Sequence, residues 1–196
     1  MARPSAHPIQ MRDGREAVLR PLRRGDLEAT FDFANELYHE RGRNPDLGIV
    51  SLDRRVTRAA ERRFLERVTS DLRKDDAVSV AAFDGPRLVG NCEVTRRRQL
   101  DMAHCGVLGI AILEEFRGVG LGEAMVARAL AGSARAGITL VELQVLDNNA
   151  FAKRLYQKAG FKVVGTVPGK IRRSTRSIDE VLMYIDLTRP TKDSAH

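Results

Sequence analysis

A short glycine-rich segment, residues 117–122, has the composition of an anion-binding turn. It reads Arg-Gly-Val-Gly-Leu-Gly and lies between an apolar run, Val107 to Leu113, and a helix-like run, Glu123 to Ala136. The first main-chain N–H groups of a helix have no partner within it and lie at the positive end of its dipole, and glycine lets an anion approach them closely. The sequence therefore predicts a strand that enters a helix through a phosphate-binding turn.

Two common phosphate-binding motifs fit this segment poorly. A P-loop ends in Gly-Lys-Ser/Thr, whose lysine and hydroxyl bind phosphate and magnesium, whereas Gly122 is followed by Glu123 and Ala124. A dinucleotide fingerprint needs G-x-G-x-x-G and an acidic residue at the end of the next strand. Here the glycines follow G-x-G-x-G, and the candidate acid, Glu142, falls within the next predicted strand.

A second motif lies downstream, at residues 149–161. The sequence there, N-A-F-A-K-R-L-Y-Q-K-A-G-F, has the pattern N-x-x-A-x-x-L-Y-x-K-x-G-F at every fixed position. Arg117, Gly120 and Gly122 have the pattern Arg/Gln-x-x-Gly-x-Gly/Ala. In this order and spacing, the two segments resemble the two signatures of the GCN5-related N-acetyltransferases, the GNAT family.

The resemblance implies a binding site for acetyl-CoA, which is the acyl donor in this family. The family's strand before the glycine turn splays from its neighbour and offers main-chain amides to the pantetheine arm, while the turn binds the pyrophosphate. Asn149 matches a residue that contacts coenzyme, although a helix cap is an equally open role for it. The coenzyme-binding residues predicted in this way are Ile110, Ile112, Arg117, Gly118, Val119, Gly120, Leu121, Gly122, Asn149 and Tyr156.

Tyr156 is also the predicted catalytic acid, because the matching family tyrosine points its hydroxyl at the thioester sulfur. The alternative is an ordinary tyrosine at the edge of the core. With a pKa near 10 for tyrosine and about 8.5 for a thiol, full proton transfer to the thiolate is uphill by about 2 kcal/mol. A hydrogen bond to the charge that develops on sulfur suffices, and full transfer requires a lowered tyrosine pKa.

The acceptor must lose a proton, because an ammonium group has no lone pair with which to attack. A lysine-like amine with a pKa near 10.4 lies about 5 kcal/mol from its free base at pH 7. Many family members carry a glutamate on the strand before the glycine turn, but the aligned position here is Val107. Glu93, on the preceding strand, is the catalytic base candidate, and His104 or a water relay to solvent remain alternatives.

The sequence does not decide whether the acceptor is a protein amino terminus, a lysine side chain or a small amine. Pro168 through Glu180 looks like the segment that closes the acceptor side in the family; its arginines suit an acidic acceptor, and Asp179 and Glu180 suit a cationic amine. Homodimers are frequent in the family. The alternative functions are an acyl-CoA-binding module without catalysis and a basic nucleic-acid-binding protein.

Composition favours a single cytoplasmic enzyme domain. The net charge is +7, but the 33 lysines and arginines are scattered and accompany no nucleic-acid-binding motif, so nucleic acid is not an expected partner. No apolar run approaches the roughly 20 residues of a membrane span, and the first residues lack a secretory h-region. Cys92 and Cys105 lack metal-binding spacing, so we expect reduced thiols and no metal.

The rest of the sequence predicts the elements that position these residues. They form a GNAT-like mixed α/β fold, with a mostly antiparallel central sheet of about seven strands, helices on both faces and a splayed coenzyme-binding strand pair. The predicted strands are residues 17–22, 77–83, 87–95, 105–113, 138–146, 161–167 and 178–187. The predicted helices are residues 27–37, 60–72 and 123–136, and a short fourth helix capped by Asp147 or Asn148 and ended by Gly160.

The predicted domain comprises residues 17–187. Residues 1–16, which are polar and contain two prolines, are expected to form a flexible tail, as are residues 188–196. Asp26 is the predicted N-cap of the first helix. The segment His39 to Asp53 contains two glycines and a proline, and we expect an irregular loop there that shapes substrate access.

Overall fold

The computed structural model describes residues 6–44, 47–48, 54–173 and 176–188. Within these ranges the chain forms one sheet of eight strands and four α-helices. In chain order the elements are β1 (His7–Gln10), β2 (Glu16–Arg20), α1 (Leu27–Arg43), α2 (Arg58–Arg73), β3 (Ala77–Asp84), β4 (Arg87–Arg96), β5 (Cys105–Ile112), α3 (Leu121–Arg135), β6 (Leu140–Leu146), α4 (Ala150–Lys158), β7 (Lys162–Arg173) and β8 (Arg176–Asp186).

The strands lie in the order β1-β2-β3-β4-β5-β6-β8-β7, and every neighbouring pair is antiparallel except β5 and β6. β3 and β4 are joined by a tight turn in which Gly85 has a φ of 54°, a left-handed conformation that favours glycine. β5 and β6 are joined by α3, and such a crossover makes two strands parallel. The predicted mixed, mostly antiparallel sheet is confirmed, with eight strands rather than about seven.

The additional strand, β1, lies in the segment predicted to be a flexible tail. Its residues pair antiparallel with β2, from His7 opposite Leu19 to Gln10 opposite Glu16, and Ile9 packs against the core. Pro8 favoured a tail in the sequence analysis, but β1 is the edge strand of the sheet, where a missing N–H is tolerated. Folded structure therefore begins before residue 17, whereas residues 1–5 and 189–196 lie outside the described ranges.

One of the two predicted helix caps is confirmed in position. Asp26 is the N-cap residue of α1, but its side chain makes no capping bond, since its carboxylate accepts hydrogen bonds from the Arg23 main-chain N–H at 2.7 Å and from the Arg20 guanidinium at 2.7 Å. The cap of α4 is Asn149, whose side chain accepts from the Ala152 N–H, rather than Asp147 or Asn148. At both helix starts, the contacts of the side chain decide whether it caps the helix. Sequence spacing alone does not reveal those contacts.

α1 also extends further than predicted. It continues to Arg43, through the first part of the segment that was expected to be irregular. Asn44 then ends the helix in an extended conformation, with its N–H donated to the Glu40 carbonyl at 2.7 Å. Residues 45–46 and 49–53 of the predicted access loop lie outside the described part of the chain.

The helices cover opposite faces of the sheet, and β4 shows which residues point to each. Glu93 of β4 is bonded to Arg67 of α2 at 2.9 Å. Three residues earlier in the same strand, a Cβ on Gly90 would lie 2.9 Å from the sulfur of Met125 in α3. Because side chains alternate along a regular strand, odd-numbered residues of β4 from Gly90 onward point to the face covered by α1 and α2, and even-numbered ones to the face covered by α3. We call these the α1/α2 face and the α3 face.

Candidate active site

The parallel strands β5 and β6 separate at the centre of the sheet. They pair only at their beginnings, from Cys105 opposite Leu140 to Val107 opposite Glu142. β5 then continues along β4 to Ile112, and β6 continues along β8. A V-shaped gap therefore opens between β5 and β6, and it widens toward the glycine-rich turn.

The main-chain groups of β5 that face this gap can be identified from its pairing with β4. The Leu113 N–H donates to the Val89 carbonyl at 3.0 Å, and the Cys105 carbonyl accepts from the Arg97 N–H at 2.9 Å. Main-chain groups alternate in direction along an antiparallel pair, so odd-numbered residues point theirs at β4. The N–H and C=O groups of Ile110 and Ile112 consequently point into the gap.

The turn after β5 presents a row of unbonded amides. Gly118 and Gly120 have φ angles of 74° and 90°, which a residue with a side chain adopts only with strain, and α3 begins directly afterwards. Among the described residues, none accepts a hydrogen bond from the six N–H groups of residues 118–123; the Ala124 N–H is the first to donate, to the Gly120 carbonyl at 3.2 Å. The positive end of the α3 dipole and these amides can bind an anion at the mouth of the gap.

The absence of a side chain at Gly122 lets three elements meet behind this turn. A Cβ there would lie 3.2 Å from Leu155 of α4 and 3.4 Å from Ile112 of β5. The turn is also anchored from the other side, where the Arg12 N–H donates to the Val119 carbonyl at 3.0 Å. The amides of the turn are therefore held in place by packing on both sides.

The side chain of Arg117 is bonded within the protein. Its Nε donates to the Ile112 carbonyl at 2.8 Å, and its two terminal nitrogens donate to the carboxylate of Glu40 at 2.5 and 2.8 Å. The Arg117 N–H donates to the Glu114 carbonyl at 3.1 Å. Glu40 belongs to α1 and its side chain is only 4% exposed. Arg117 therefore positions the turn against α1. Both the main-chain N–H and the guanidinium group of Arg117 are hydrogen-bonded to other residues of the protein.

Asn149 lies next to the same site. As the cap of α4, its Oδ1 accepts from the Ala152 N–H at 3.1 Å, and its Nδ2 lies 3.2 Å from where a Cβ on Gly48 would be. The helix-cap role, one of the two that the sequence left open, is thus present. The contact with coenzyme stays a prediction.

Tyr156 is buried on the α3 face. Its ring packs edge-on against Phe161 with 5.8 Å between centroids, and the residue is 6% exposed. Burial raises the pKa of the Tyr156 hydroxyl, and the nearby thiol of Cys92, which points to the α3 face, raises it further. No described residue forms a hydrogen bond with this hydroxyl. Tyr156 is therefore a protonated donor at neutral pH, and the lowered pKa that full proton transfer requires is not found.

Glu93 lies on the opposite face. It is opposite Gly109 in the β4–β5 pair, two pairs along from Val107. Its side chain is 12% exposed, and its Oε1 accepts hydrogen bonds from Arg67 at 2.9 Å and from the Thr95 hydroxyl at 2.7 Å. Within the described ranges, Oε2 has no hydrogen-bond partner. Glu93 thus offers one carboxylate oxygen on the same face of the sheet as Val107.

The family of the chain follows from a comparison with known protein families. The model of the Acetyltransferase (GNAT) family matches residues 36–161, which is more than half of the sequence. The chain belongs to the Acetyltransferase (GNAT) family. It is accordingly an acetyl-CoA-dependent acetyltransferase, with acetyl-CoA as the acyl donor.

Solved structures show the same GNAT fold. The acetyltransferase of the GNAT family from Streptococcus pneumoniae superposes with a TM-score of 0.76 at 24% identity, covering 87% of this chain and 99% of its own. The structure of yncA from Salmonella typhimurium with its cofactor acetyl-CoA gives 0.75 at 17% identity, covering 92% and 99%. Ribosomal-protein-alanine N-acetyltransferase from Brucella melitensis gives 0.74 at 19%, covering 86% and 99%. No protein of curated function matches the sequence significantly.

The carboxyl-terminal segment that was expected to close the acceptor side of this GNAT protein forms a hairpin. Pro168 to Lys170 lie within β7, at a break in its register with β8. Asp179 accepts from the Gly169 N–H at 2.8 Å, and Glu180 accepts from the Lys170 ammonium at 2.5 Å. Both carboxylates therefore hold the hairpin together, and their contact with a cationic acceptor stays a prediction.

His104 does not lie near the open part of the GNAT gap. It is exposed and precedes β5, five residues or about 17 Å of extended chain from Gly109. Glu142, by contrast, lies at the last β5–β6 pair, where its carboxylate is bonded to Arg97. Among the described residues, no helix combines the length and the apolar composition that a membrane crossing needs.

Asn91 is a further polar residue on the face of β4 that carries Glu93, and no sequence motif indicated it. It follows the same alternation as Glu93 and Thr95, at spacing i, i+2 and i+4 along β4. Polar residues at alternate positions of a central strand, beneath covering helices, are the signal that could have identified this row.

Proposed function

We propose that this protein transfers the acetyl group of acetyl-CoA to a primary amine of a small molecule, peptide or protein, by direct attack within a ternary complex. The gap between β5 and β6 carries this proposal, because the sheet at this point separates two polar groups that the reaction needs. The phenol of Tyr156 lies on one face and the carboxylate of Glu93 lies on the other. A thioester held in the gap would have a hydrogen-bond donor on one side and a proton acceptor on the other.

The main chain supplies the coenzyme contacts in this proposal. The N–H groups of Gly118, Val119, Gly120, Leu121 and Gly122 bind the pyrophosphate. Each interaction of an anion with a helix dipole contributes only about 0.3–2 kcal/mol, so affinity depends on several amides that converge. The main-chain groups of Ile110 and Ile112 bind the pantetheine arm along the edge of β5, and Asn149 closes the site from α4.

An acceptor that arrives as an ammonium loses two protons from nitrogen, and one thiol is formed. Glu93 takes the first proton, directly or through one water, and passes it to solvent. The neutral nitrogen then attacks the thioester carbonyl carbon from the α1/α2 face, the C–N bond forms, the C–S bond breaks, and the second proton leaves the nitrogen to Glu93 or to solvent. The phenol of Tyr156 donates a hydrogen bond to the departing sulfur, and the thiolate takes its proton from solvent.

The burial of Tyr156 supports a hydrogen bond in preference to full proton transfer. Its raised pKa makes transfer to the thiolate less favourable than the 2 kcal/mol estimated for an ordinary tyrosine. The same burial places the phenol in a low-dielectric site, where a donor stabilises negative charge most effectively.

Thiol release from acetyl-CoA tests the proposal. The protein is incubated with acetyl-CoA and, separately, L-lysine, spermidine, glucosamine and an octapeptide with a free amino terminus, and free thiol is measured over time. Amine-dependent release and an acetylated product are expected with at least one acceptor class. A rise in melting temperature with coenzyme A, without release for any amine, would instead favour a coenzyme-binding module without catalysis. The predicted cytoplasmic location and homodimer stay predictions.

A further inference from the structure

A buried side-chain atom of β4 lacks a hydrogen-bond partner in the part of the chain that the structure describes. Among the described residues, the Oδ1 of Asn91 is the buried side-chain oxygen or nitrogen without a hydrogen bond. Buried polar atoms are nearly always bonded to protein or to an ordered molecule, because losing the hydrogen bonds of water without replacement destabilises the fold. An unpaired acceptor in the centre of a sheet therefore points to a ligand or a bound water.

The position of Asn91 places this atom beside the reaction gap. Asn91 is opposite Ala111 of β5, and its neighbour on the same face, Glu93, is opposite Gly109. These two β5 residues flank Ile110, whose main chain points into the gap. A Cβ on Gly109 would meet nothing within 4 Å. Small residues on β5 thus leave open space above the strand, and the amide of Asn91 and the carboxylate of Glu93 border it.

The two side chains differ in a way that suits an amino group. Their Cα atoms are about 7 Å apart, as expected for i and i+2 on a strand, so a nitrogen atom can lie between the side chains with a hydrogen bond to each. The amide oxygen of Asn91 accepts a hydrogen bond but takes no proton at neutral pH. The carboxylate of Glu93 can take one, and its Oε2 has no partner among the described residues.

We propose that Asn91 and Glu93 together bind the amino group of the acceptor, with Asn91 orienting the nitrogen and Glu93 removing its proton. The inference rests on the proposed function and adds a residue that determines acceptor binding. A primary amine that attacks through its lone pair keeps two N–H groups. One of them is directed to Asn91, which turns the lone pair toward the gap.

The substitution Asn91→Leu provides the test, because leucine has the same branched arrangement of side-chain heavy atoms and no polar atom. The probe is the amine with the highest kcat/KM among L-lysine, spermidine, glucosamine and the octapeptide. We expect kcat/KM for that amine to fall about 10- to 100-fold, the KM for acetyl-CoA to stay within twofold, and the melting temperature to stay equal or rise. A loss of activity together with a gain in stability is the signature of a polar atom retained for binding.

Ser79→Ala is the matched control. Ser79 lies opposite Glu93 on the β3 side and its hydroxyl accepts from the Leu22 N–H at 3.2 Å, so this variant should lose stability and keep its kinetics. In Asn91→Asp, an added negative charge stabilises the ammonium form of the amine, so the rise of rate with pH should move to higher pH.

Two results overturn the proposal. An Asn91→Leu enzyme with amine kinetics within twofold of wild type would show that a water or nothing occupies the site. A parallel rise in the KM for acetyl-CoA would show that Asn91 acts through the coenzyme instead. Absence of amine-dependent release by the wild-type protein overturns the proposed function as well, so the two failures are distinguishable.

Discussion

Tyr156→Phe is the most informative single substitution, because the structure isolates the hydroxyl group from every other role. The hydroxyl has no hydrogen-bond partner among the described residues, so its removal leaves no buried group unpaired. Phenylalanine keeps the edge-on packing against Phe161, where the ring centroids are 5.8 Å apart. The variant should therefore fold with an unchanged melting temperature.

The expected kinetic effect follows from the bond that is lost. A hydrogen bond to a charged partner is worth about 1.5–3 kcal/mol. The thiolate becomes charged only as the C–S bond breaks, so the loss falls on the transition state and not on bound coenzyme. At about 1.4 kcal/mol per tenfold change in rate, kcat should fall about 10- to 150-fold while the KM for acetyl-CoA stays unchanged.

Steady-state thiol release measured across pH is the assay. Because burial raises the pKa of Tyr156, wild type should show no loss of rate near pH 10 from its ionisation. Tyr38→Phe, on the half-buried surface of α1, is the matched control and should keep wild-type kcat. Unchanged kcat in Tyr156→Phe at saturating substrates would remove the hydroxyl from the mechanism, and a large rise in coenzyme KM would assign it to binding instead.

Three further predictions concern the turn, the base and the helix pair. Gly120→Ala places a side chain at a φ of 90°, with its Cβ 3.4 Å from the Arg12 Nε, which costs about 1–2 kcal/mol of strain. This strain should displace the turn amides, and steady-state kinetics should show a KM for acetyl-CoA that is raised about tenfold. Glu93→Gln should lower kcat about 100-fold at pH 7 and lose less at pH 10, where roughly a quarter of a lysine-like amine is already neutral. An equal loss at both pH values would exclude proton removal. Burial between the helices raises the pKa of Glu61 to about 7, so the wild-type protein loses stability as the pH rises from about 4.5 to 7. In chemical denaturation at pH 8, Glu61→Gln should therefore be more stable than wild type by about 1–3 kcal/mol. A stability difference that does not depend on pH would contradict this.

The features that the sequence predicted well depend on neighbouring residues. Glycines with positive φ at 118 and 120, the β3–β4 hairpin at Gly85 and the helical spacing of α2 and α3 are local patterns. Such patterns determine local conformation directly. They located the turn, the strand that precedes it and the helix that carries Tyr156.

The features that the sequence did not reveal depend on partners that are distant along the chain. The Arg117 side chain is bonded to Glu40, 77 positions away, which no local pattern indicates, and its contact with coenzyme stays a prediction. Pro8 argued for a tail, and only the position of β1 at the edge of the sheet makes that proline acceptable. Asn91 was missed because it stands out only through the missing hydrogen bond of its buried side-chain oxygen, which sequence spacing cannot indicate.

The bond between Glu40 and Arg117 has a consequence for any attempt to alter the acceptor. It joins the last turn of α1 to the end of β5, so a shift of that helix to accommodate a larger amine also displaces the Ile112 carbonyl that Arg117 holds. The affinities for the two substrates are then thermodynamically linked. If the bound acceptor changes the affinity for coenzyme by some factor, the bound coenzyme changes the affinity for the acceptor by the same factor. Engineered acceptor preference should be selected at the coenzyme concentration at which the enzyme will be used.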